Sequence, residues 1–194
     1  MQQLDQQYWE TRYQNGLTGW DAGAITTPLR EYFDQLTDKS VSVLIPGAGN
    51  AHEAAYLFEL GFSDVHVLDI SESALRQFQL RNPLFPKSHI HQGDFWAHEG
   101  KYDLIIEQTF FCAIDPVLRT AYVKKTSDIL RSGGKLVGVL WNHPMGENEP
   151  PFGGSEAEYI ELFSECLEIN VLETAYNSIQ PRAGREVFIK MTKK

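Results

Sequence analysis

The segment from residue 41 to residue 69 constrains the fold of this chain more than any other. An apolar run, Val41-Ser-Val-Leu-Ile45, leads into the turn Pro46-Gly-Ala-Gly49, and after a helical stretch a second run, Val65-His-Val-Leu-Asp69, ends on an acid. Nucleoside-binding βαβ units have this order of strand, glycine turn, helix and acid-tipped strand. The sequence therefore predicts a nucleoside-containing ligand at the carboxyl ends of these two strands.

One position after the turn argues against NAD as that ligand. The third glycine of the pattern G-x-G-x-x-G, which packs beside a pyrophosphate at the helix N-terminus, is replaced by His52. S-adenosylmethionine contains adenosine but no phosphate, so a site for it does not need that glycine. We therefore predict S-adenosylmethionine, with Gly47 in close approach and Asp69 accepting hydrogen bonds from the ribose hydroxyls. A glycine turn that binds no nucleotide is the alternative.

The alternation of predicted strands and helices defines the fold class. Apolar runs predict strands at 41–45, 65–68, 88–91, 102–106, 135–141, 168–174 and 186–192, with helices between the first five. Thr27 is the expected N-cap of a helix at 27–36, and Gly133-Gly134 is expected to close a helix at 116–130. This pattern predicts an α/β fold with a doubly wound, seven-stranded, mostly parallel sheet.

Composition limits the partners and the compartment. A chain of 194 residues suits one domain, residues 1–194, with a sizeable core. A net charge of −9 and the absence of a basic run argue against a nucleic-acid partner. The sequence contains no apolar run of roughly 18 residues for a membrane span and no secretory signal pattern. With two cysteines that we expect to be reduced, a cytoplasmic monomer is predicted.

Two further segments follow predicted strands. In Gly93-Asp-Phe-Trp96, Asp94 is placed to bond an adenine amino group while Phe95 contacts the ring. A solvent-exposed turn is the alternative for this segment. Gln108 follows the strand predicted at 102–106, at the sheet edge where reacting groups gather in open α/β folds.

Several longer motifs together indicate a known family. They are Trp9-x3-Tyr13-x2-Gly16-x3-Trp20-Asp21, Ile45-Pro-Gly-Ala-Gly49, Leu68-Asp-Ile-Ser-Glu-Ser-Ala-Leu75, Gly93-Asp-Phe95, Tyr102-Asp-Leu-Ile-Ile106, Phe111-Cys-Ala-Ile-Asp-Pro116 with Arg119, Pro150-Pro-Phe152 and Asn177-Ser-Ile-x-Pro-Arg-x-Gly-x-Glu186. Over nearly its whole length the chain resembles the class I S-adenosylmethionine-dependent methyltransferases. Within them it is most similar to the thiopurine methyltransferase superfamily and its halide/thiol methyltransferases.

The resemblance implies an antiparallel last strand, and a helical N-terminal lid at 1–37 over a Rossmann-like core at 38–194. It assigns cofactor contacts to lid aromatics and strand ends, namely Trp9, Tyr13, Trp20, Gly47, Asp69, Asp94, Phe95 and Gln108. The lid then has a physical role, because aromatic faces favour a sulfonium cation. The family usually has a tryptophan in place of Tyr13 and often an aspartate–tyrosine-type pair in place of Glu107-Gln108. The presence of Glu107-Gln108 instead of that pair affects the expected choice of acceptor more than the expected binding of the cofactor.

The resemblance further implies methyl transfer to a small soft nucleophile, such as a thiol, hydrosulfide, a halide or a thiopurine. In-line displacement by an ionised acceptor needs alignment and a dry pocket but no general base. We therefore assign no catalytic acid or base. An oxygen or nitrogen acceptor, a cofactor-binding module without catalysis and, least favoured, a nicotinamide oxidoreductase are the alternatives.

The remaining polar residues give weaker indications. Arg119, Arg182 and Arg185 are candidates to offset the acidic net charge beside an anionic acceptor. We interpret Cys112, which follows two phenylalanines, as a small buried hydrophobe rather than a nucleophile. The pair His89-x-His91 has no third ligand at a convincing spacing, so no metal site is predicted.

Overall fold

A seven-stranded sheet with the order β3-β2-β1-β4-β5-β7-β6 forms the centre of the molecule, seen in a computed structural model that describes residues 3–194. The strands are β1 (Val43–Pro46), β2 (Val65–Asp69), β3 (Ile90–Gln92), β4 (Tyr102–Gln108), β5 (Leu130–Trp141), β6 (Leu167–Thr174) and β7 (Glu186–Lys193). Strands β1 to β5 pair in parallel, whereas β7 runs antiparallel to both β5 and β6. The predicted mostly parallel, seven-stranded sheet with an antiparallel last strand is confirmed.

Helices cover both faces of the sheet. They are α1 (Gln6–Gln14), α2 (Thr27–Asp34), α3 (His52–Glu59), α4 (Glu72–Arg81), α5 (Arg119–Ile129) and α6 (Glu156–Phe163). Val43 and Ile45 of β1 pack in the cluster that includes α2, α3 and α4, while Leu44 packs in the cluster with α5 and α6. Burial on both faces explains why the parallel strands are apolar runs without alternation. A bilayer crossing would need a longer and more apolar helix than any formed by the described residues.

Two predictions about helices are wrong. Residues 93–101 connect β3 to β4 as a loop of turns, not a helix. Asp94 closes the first turn, because its Oδ1 accepts a hydrogen bond from the Trp96 backbone N–H at 3.0 Å and so competes with helical pairing. The N-cap of α2 is Thr26 rather than Thr27, which is already helical.

The start of β5 also differs from the prediction. The strand begins at Leu130, directly after α5, so Gly133 and Gly134 do not close that helix. Gly133 has a φ of +74°, and the pairing with β4 is irregular here, since Leu130 pairs with Tyr102 but Lys135 pairs with Leu104. The two glycines therefore accommodate a bulge within a strand.

The two N-terminal helices have different roles. Leu29 and Phe33 of α2 are fully buried in the core cluster that contains β1 and α3. Helix α2 therefore forms part of the layer that covers the sheet. Helix α1 contacts α4 and lies at the carboxyl end of the sheet. Residues 1 and 2 of the predicted lid lie outside the described range.

Candidate active site

A cavity of about 930 Å³ opens at the carboxyl ends of the parallel strands. Gly47 after β1, Asp69 at the end of β2, Asp94 after β3 and Trp141 at the end of β5 all line it. Its centre is the switch point between β1 and β4, where open α/β sheets bind their ligands. Seven of the eight residues predicted to bind the cofactor line this cavity: Trp9, Tyr13, Trp20, Gly47, Asp69, Asp94 and Phe95.

The glycine turn and Asp69 form one hydrogen-bonded unit. Gly47 and Gly49 have φ values of +57° and +53°, in the region that favours glycine. A Cβ at Gly47 would overlap the Phe110 ring, and one at Gly49 would overlap the Tyr13 hydroxyl. Asp69 accepts hydrogen bonds from Gly49 N at 2.7 Å and from Ser71 N at 2.8 Å. Burial raises the pKa of Asp69 to about 6.

Three aromatic residues of the N-terminal region lie over this unit. The Trp20 ring meets Trp9 edge to face at 5.6 Å between centroids and Tyr13 at 5.9 Å. Tyr13 is buried, whereas both tryptophans are half-buried. Such T-shaped pairs are favourable arrangements of aromatic rings. They form an aromatic wall at the mouth of the cavity, in the place where the sequence predicted a lid.

Glu10 holds α1 against the start of α4. Its carboxylate accepts hydrogen bonds from Ser71 Oγ at 2.7 Å, from Ser73 N at 3.1 Å and from Ser73 Oγ. Burial by itself would raise the pKa of Glu10, but the hydrogen bonds from Ser73 and Ser71 outweigh it and hold the pKa at about 2. A carboxylate at a helix N-terminus also interacts favourably with the helix dipole. We call this contact the Glu10 latch.

A second carboxylate fixes the loop after α1 to the start of α3. Asp21 accepts a hydrogen bond from His52 Nε2 at 2.9 Å, and others from Asn50 Nδ2 and from Gly23 N at 2.8 Å. The hydrogen bond with Asp21 raises the pKa of His52. The residue that replaces the third glycine thus binds an internal carboxylate, at the helix end where a dinucleotide site would hold its pyrophosphate.

The segment after β3 places its two predicted residues differently. Phe95 is buried and stacks on Tyr122 at 5.5 Å between centroids, so it forms both the wall of the cavity and part of the core. The Asp94 side chain is exposed and accepts the hydrogen bond from Trp96 N. Both the turn interpretation and the site interpretation of Asp94 are compatible with this geometry.

Among the eight predicted cofactor contacts, Gln108 is the one that does not line the main cavity. It lines a neighbouring space of about 40 Å³, where its Oε1 accepts a hydrogen bond from the Thr26 hydroxyl at 2.9 Å. Its Nε2 is buried and has no hydrogen-bond partner among the described residues. The next residue, Thr109, lines both spaces and has a φ of +62°. A β-branched residue in this conformation is strained, and such strain is concentrated at functional sites.

The three candidate arginines lie in different surroundings, and one of them lines the cavity. Arg182 lines the cavity, with its guanidinium 5.5 Å from the centre of the Trp141 ring. It donates hydrogen bonds to Glu186 Oε1 at 3.3 Å and to the Trp20 carbonyl at 2.5 Å, so it also connects the C-terminal segment to the aromatic wall. Arg119 is buried elsewhere, against Glu158 and the Gly153 carbonyl. Arg185 is exposed and does not line the cavity.

Two buried groups near the cavity, a thiol and a carboxyl, support the local structure. Burial raises the pKa of the Cys112 thiol to about 12, so this cavity-lining residue stays protonated and behaves as the predicted small hydrophobe. Burial also raises the pKa of Glu107 to about 7. Glu107 accepts hydrogen bonds from Phe110 N and Phe111 N at 2.8 Å and from the Tyr122 hydroxyl at 2.7 Å. It therefore holds the turn after β4 in place.

Sequence reasoning missed Thr109, Phe110 and Trp141 as cavity residues. Thr109 lies immediately after β4, and Trp141 is the last residue of β5. A search that included the last residue of each strand and the one after it would have found both, because ligands bind at strand ends. Taken together, the cavity offers a glycine turn for close backbone approach, a buried carboxylate for hydroxyl groups and aromatic faces for a cation. These properties fit S-adenosylmethionine.

Comparison with known proteins identifies the family. The family model described as Thiopurine S-methyltransferase matches residues 4–193. The chain belongs to the thiopurine S-methyltransferase family. Membership confirms the resemblance stated from the sequence, and with it the prediction of a methyltransferase that uses S-adenosylmethionine.

Curated relatives of this family member match it over most of their length. Probable thiol methyltransferase 2 of Arabidopsis thaliana is 29% identical over 189 residues, which cover 92% of this chain and 81% of the relative. Thiocyanate methyltransferase 1 of Brassica oleracea is 28% identical over 190 residues, with the same coverage.

Solved structures support the fold. The Burkholderia thailandensis 1,6-didemethyltoxoflavin-N1-methyltransferase, with bound 1,6-didemethyltoxoflavin and S-adenosylhomocysteine, superimposes with a TM-score of 0.75. The comparison covers 97% of this chain and 86% of that one at 16% identity. At this identity the likeness shows a shared fold.

Proposed function

We propose that this protein transfers a methyl group from S-adenosylmethionine to a small, soft nucleophile that is already ionised. One observation carries the proposal. Four carboxylates line the main cavity, and each accepts at least one hydrogen bond from a backbone N–H. The pairs are Asp5 with Tyr8, Asp69 with Gly49 and Ser71, Asp94 with Trp96, and Asp115 with Val117. None of the described residues that line it is a histidine. These hydrogen bonds and the absence of a histidine among the described lining residues support a site that binds and aligns an acceptor rather than one that deprotonates it.

The chain's own groups have distinct roles in this proposal. S-adenosylmethionine supplies a methyl group activated by a sulfonium. Gly47 allows close approach, Asp69 accepts hydrogen bonds from the ribose, and Asp94 with Phe95 receives the adenine. The aromatic wall of Trp9, Tyr13 and Trp20 excludes water and favours the cation. A dry site favours reaction between a cation and an anion, because their charges neutralise as the transition state forms.

Arg182 is the proposed contact for an anionic acceptor. It lines the cavity beside Trp141, and its hydrogen bonds to Glu186 and to the Trp20 carbonyl use two of the five N–H donors of its guanidinium. A planar guanidinium on an aromatic face is a suitable neighbour for a polarisable anion such as thiolate, thiocyanate or iodide. The names of the relatives, which include thiol and thiocyanate methyltransferases, support the same class of acceptor.

We propose further that one copy of the chain is sufficient and that it acts in the cytoplasm without nucleic acid. Residues from both ends of the chain, from Gln3 to Arg182, line the same cavity. Cys112 and Cys166 are free thiols, which is compatible with a reducing compartment. The acidic net charge disfavours binding to polyanions. Size-exclusion chromatography with light scattering tests the monomer directly.

The function is tested by incubating the full chain with S-adenosylmethionine and, separately, iodide, hydrosulfide, thiocyanate, a simple thiol and a thiopurine. S-adenosylhomocysteine is quantified in solution, and volatile methylated products are measured by headspace gas chromatography. We expect turnover with at least one soft anion at neutral pH. Cofactor binding without turnover on any acceptor would instead indicate a binding module.

A matched pair of variants tests the role of Arg182. Arg182→Gln should raise the KM for anionic acceptors about tenfold, equivalent to about 1.4 kcal/mol. Arg185→Gln serves as the control, because Arg185 also lies over Trp141, at 5.9 Å, but does not line the cavity. Equal effects of the two substitutions would rule out a specific contact to Arg182.

A further inference from the structure

A cluster of histidines lies at the amino-terminal end of β2 and β3, away from the cavity. His66 is in β2, His91 is in β3, and His89 ends the 3-10 helix Lys87–His89 that leads into β3. The centroid of the His66 ring lies 4.2 Å from that of His89 and 5.1 Å from that of His91, in nearly parallel stacks. Asp64, which precedes β2, completes the group. Parallel pairing of the two strands brings these distant positions together.

Three of these side chains have the separations of a metal site. One ligand atom each from Asp64, His66 and His89 lies within 4.8 Å of the other two. His66 Nε2 and Asp64 Oδ1 are 2.9 Å apart. Two ligands bound to zinc at about 2.0 Å in a tetrahedral arrangement lie roughly 3.3 Å apart. Zinc binding would therefore draw the three ligand atoms together and turn the two imidazole planes out of their stack.

The surroundings of the two histidines point the same way. His66 Nδ1 lies 2.9 Å from His91 Nε2, which resembles the outer hydrogen bond that orients most metal-binding imidazoles. His89 Nδ1 is buried and has no hydrogen-bond partner among the described residues. A buried polar atom without a partner is uncommon and unfavourable. His89 therefore has a ring nitrogen that no described protein group uses, which leaves it able to bind a ligand.

We propose that Asp64, His66 and His89 bind a divalent ion of the zinc type. Two imidazoles and one carboxylate are a ligand set that zinc accepts, and the 41% exposed side chain of Asp64 leaves a position open to water. With a rise of about 3.3 Å per residue, His66 is roughly 10 Å along β2 from Asp69, so the ion is structural. It would join the edge strand β3 to β2 and so fix the strand that leads into Asp94. The spacing of His89-x-His91 does not reveal the site, because the other two ligands, Asp64 and His66, belong to β2 and the residue before it.

The test uses the full chain after treatment with a chelator. Titration with zinc chloride by calorimetry, with the bound metal counted by mass spectrometry after desalting, should give one ion per chain with a Kd of about 1 μM or lower. Zinc should also raise the melting temperature by about 5 °C at a hundredfold excess over Kd. Less than stoichiometric binding would overturn the proposal.

Matched variants assign the binding to these residues. His66→Gln and His89→Gln should each weaken zinc binding about 100-fold, while His143→Gln, the same change at a histidine outside the cluster, should leave it unchanged. Undiminished binding in the first two variants would refute the site. If either fails to fold, Asp64→Asn decides, because this partly exposed residue can change without loss of core packing. We then expect at least about tenfold weaker binding, and wild-type affinity would refute the proposal.

Discussion

Removal of the Glu10 latch should weaken binding of S-adenosylmethionine, although Glu10 itself does not line the cavity. Glu10 accepts three hydrogen bonds from Ser71 and Ser73 at the start of α4. Hydrogen bonds to a charged group contribute about 1.5–3 kcal/mol when buried, but Glu10 is half-exposed and solvent screens its contacts. We therefore assign about 2 kcal/mol to the whole set, which corresponds to roughly a 30-fold change in an equilibrium constant.

The assay compares Glu10→Ala with Gln7→Ala, an exposed position on the same helix. If α1 must be docked for the aromatic wall to cover the cofactor, the Kd for S-adenosylmethionine by calorimetry should rise by up to about 30-fold in Glu10→Ala and less than about twofold in the control. The pKa of Glu10 is held at about 2. The carboxylate therefore loses its contribution only as the pH falls below the usual carboxyl range, so the effect should be the same throughout neutral pH.

A specific outcome would refute this reasoning. If Glu10→Ala lowers the melting temperature but leaves the cofactor Kd unchanged, the latch stabilises the fold and α1 does not act as a lid. A double-mutant cycle with Ser73→Ala measures the coupling directly, because the two changes should be non-additive if they remove the same contact.

Three further predictions follow from other contacts of the site. Gly47→Ala should destabilise the protein by about 2 kcal/mol or more and weaken cofactor binding, because it adds a clash with Phe110 to the strain of a positive φ. The control is Gly61→Ala, at a φ of +88° with open space around it. It should cost only about 1 kcal/mol of stability and leave the cofactor Kd unchanged. An equal loss of cofactor affinity in both variants would contradict a specific role of Gly47 in cofactor binding. Asp21 raises the pKa of His52 in the folded protein. The His52–Asp21 ion pair therefore stabilises the fold fully at a pH below the pKa of unfolded His52, near 6.5, and this contribution is lost as the pH rises through the pKa of folded His52. The difference in melting temperature between wild type and His52→Gln should therefore shrink with increasing pH, and a constant difference would exclude the ion pair. Because burial raises the pKa of Asp69 to about 6, the cofactor affinity of the wild type should fall as the pH drops below that value, whereas the Asp69→Asn variant should bind weakly with no such dependence. Equal affinities of the wild type and this variant at every pH would disprove the ribose contact.

Much of the fold was predictable because burial on both faces imposes a simple pattern. The central strands β1 and β4 are buried and mostly apolar, and ligands gather at strand ends. The positions of Gly47, Asp69 and Phe95 at the cavity could therefore be predicted without knowledge of the packing. The bulge at Gly133 and Gly134 was missed because a glycine pair after a helix normally ends that helix.

Two contacts at the site could not be predicted, because each joins positions that are distant in the sequence. The Thr26 hydroxyl binds Gln108 Oε1 across 82 positions of sequence, which places Gln108 in its own small space. Arg182 reaches the cavity from a short 3-10 helix between β6 and β7 and binds the Trp20 carbonyl 162 positions away. Neither partner leaves a local pattern in the sequence.

The position of β7 has a consequence for biosynthesis. This strand is the last of the seven in the chain, yet it lies between β5 and β6. While residues 186–193 are still inside the ribosome, β5, a strand of 12 residues, presents an unpaired edge and β6 has no neighbour to pair with. Such edges invite pairing with other chains. The C-terminal half of the sheet therefore stays incomplete until β7 emerges and inserts between β5 and β6.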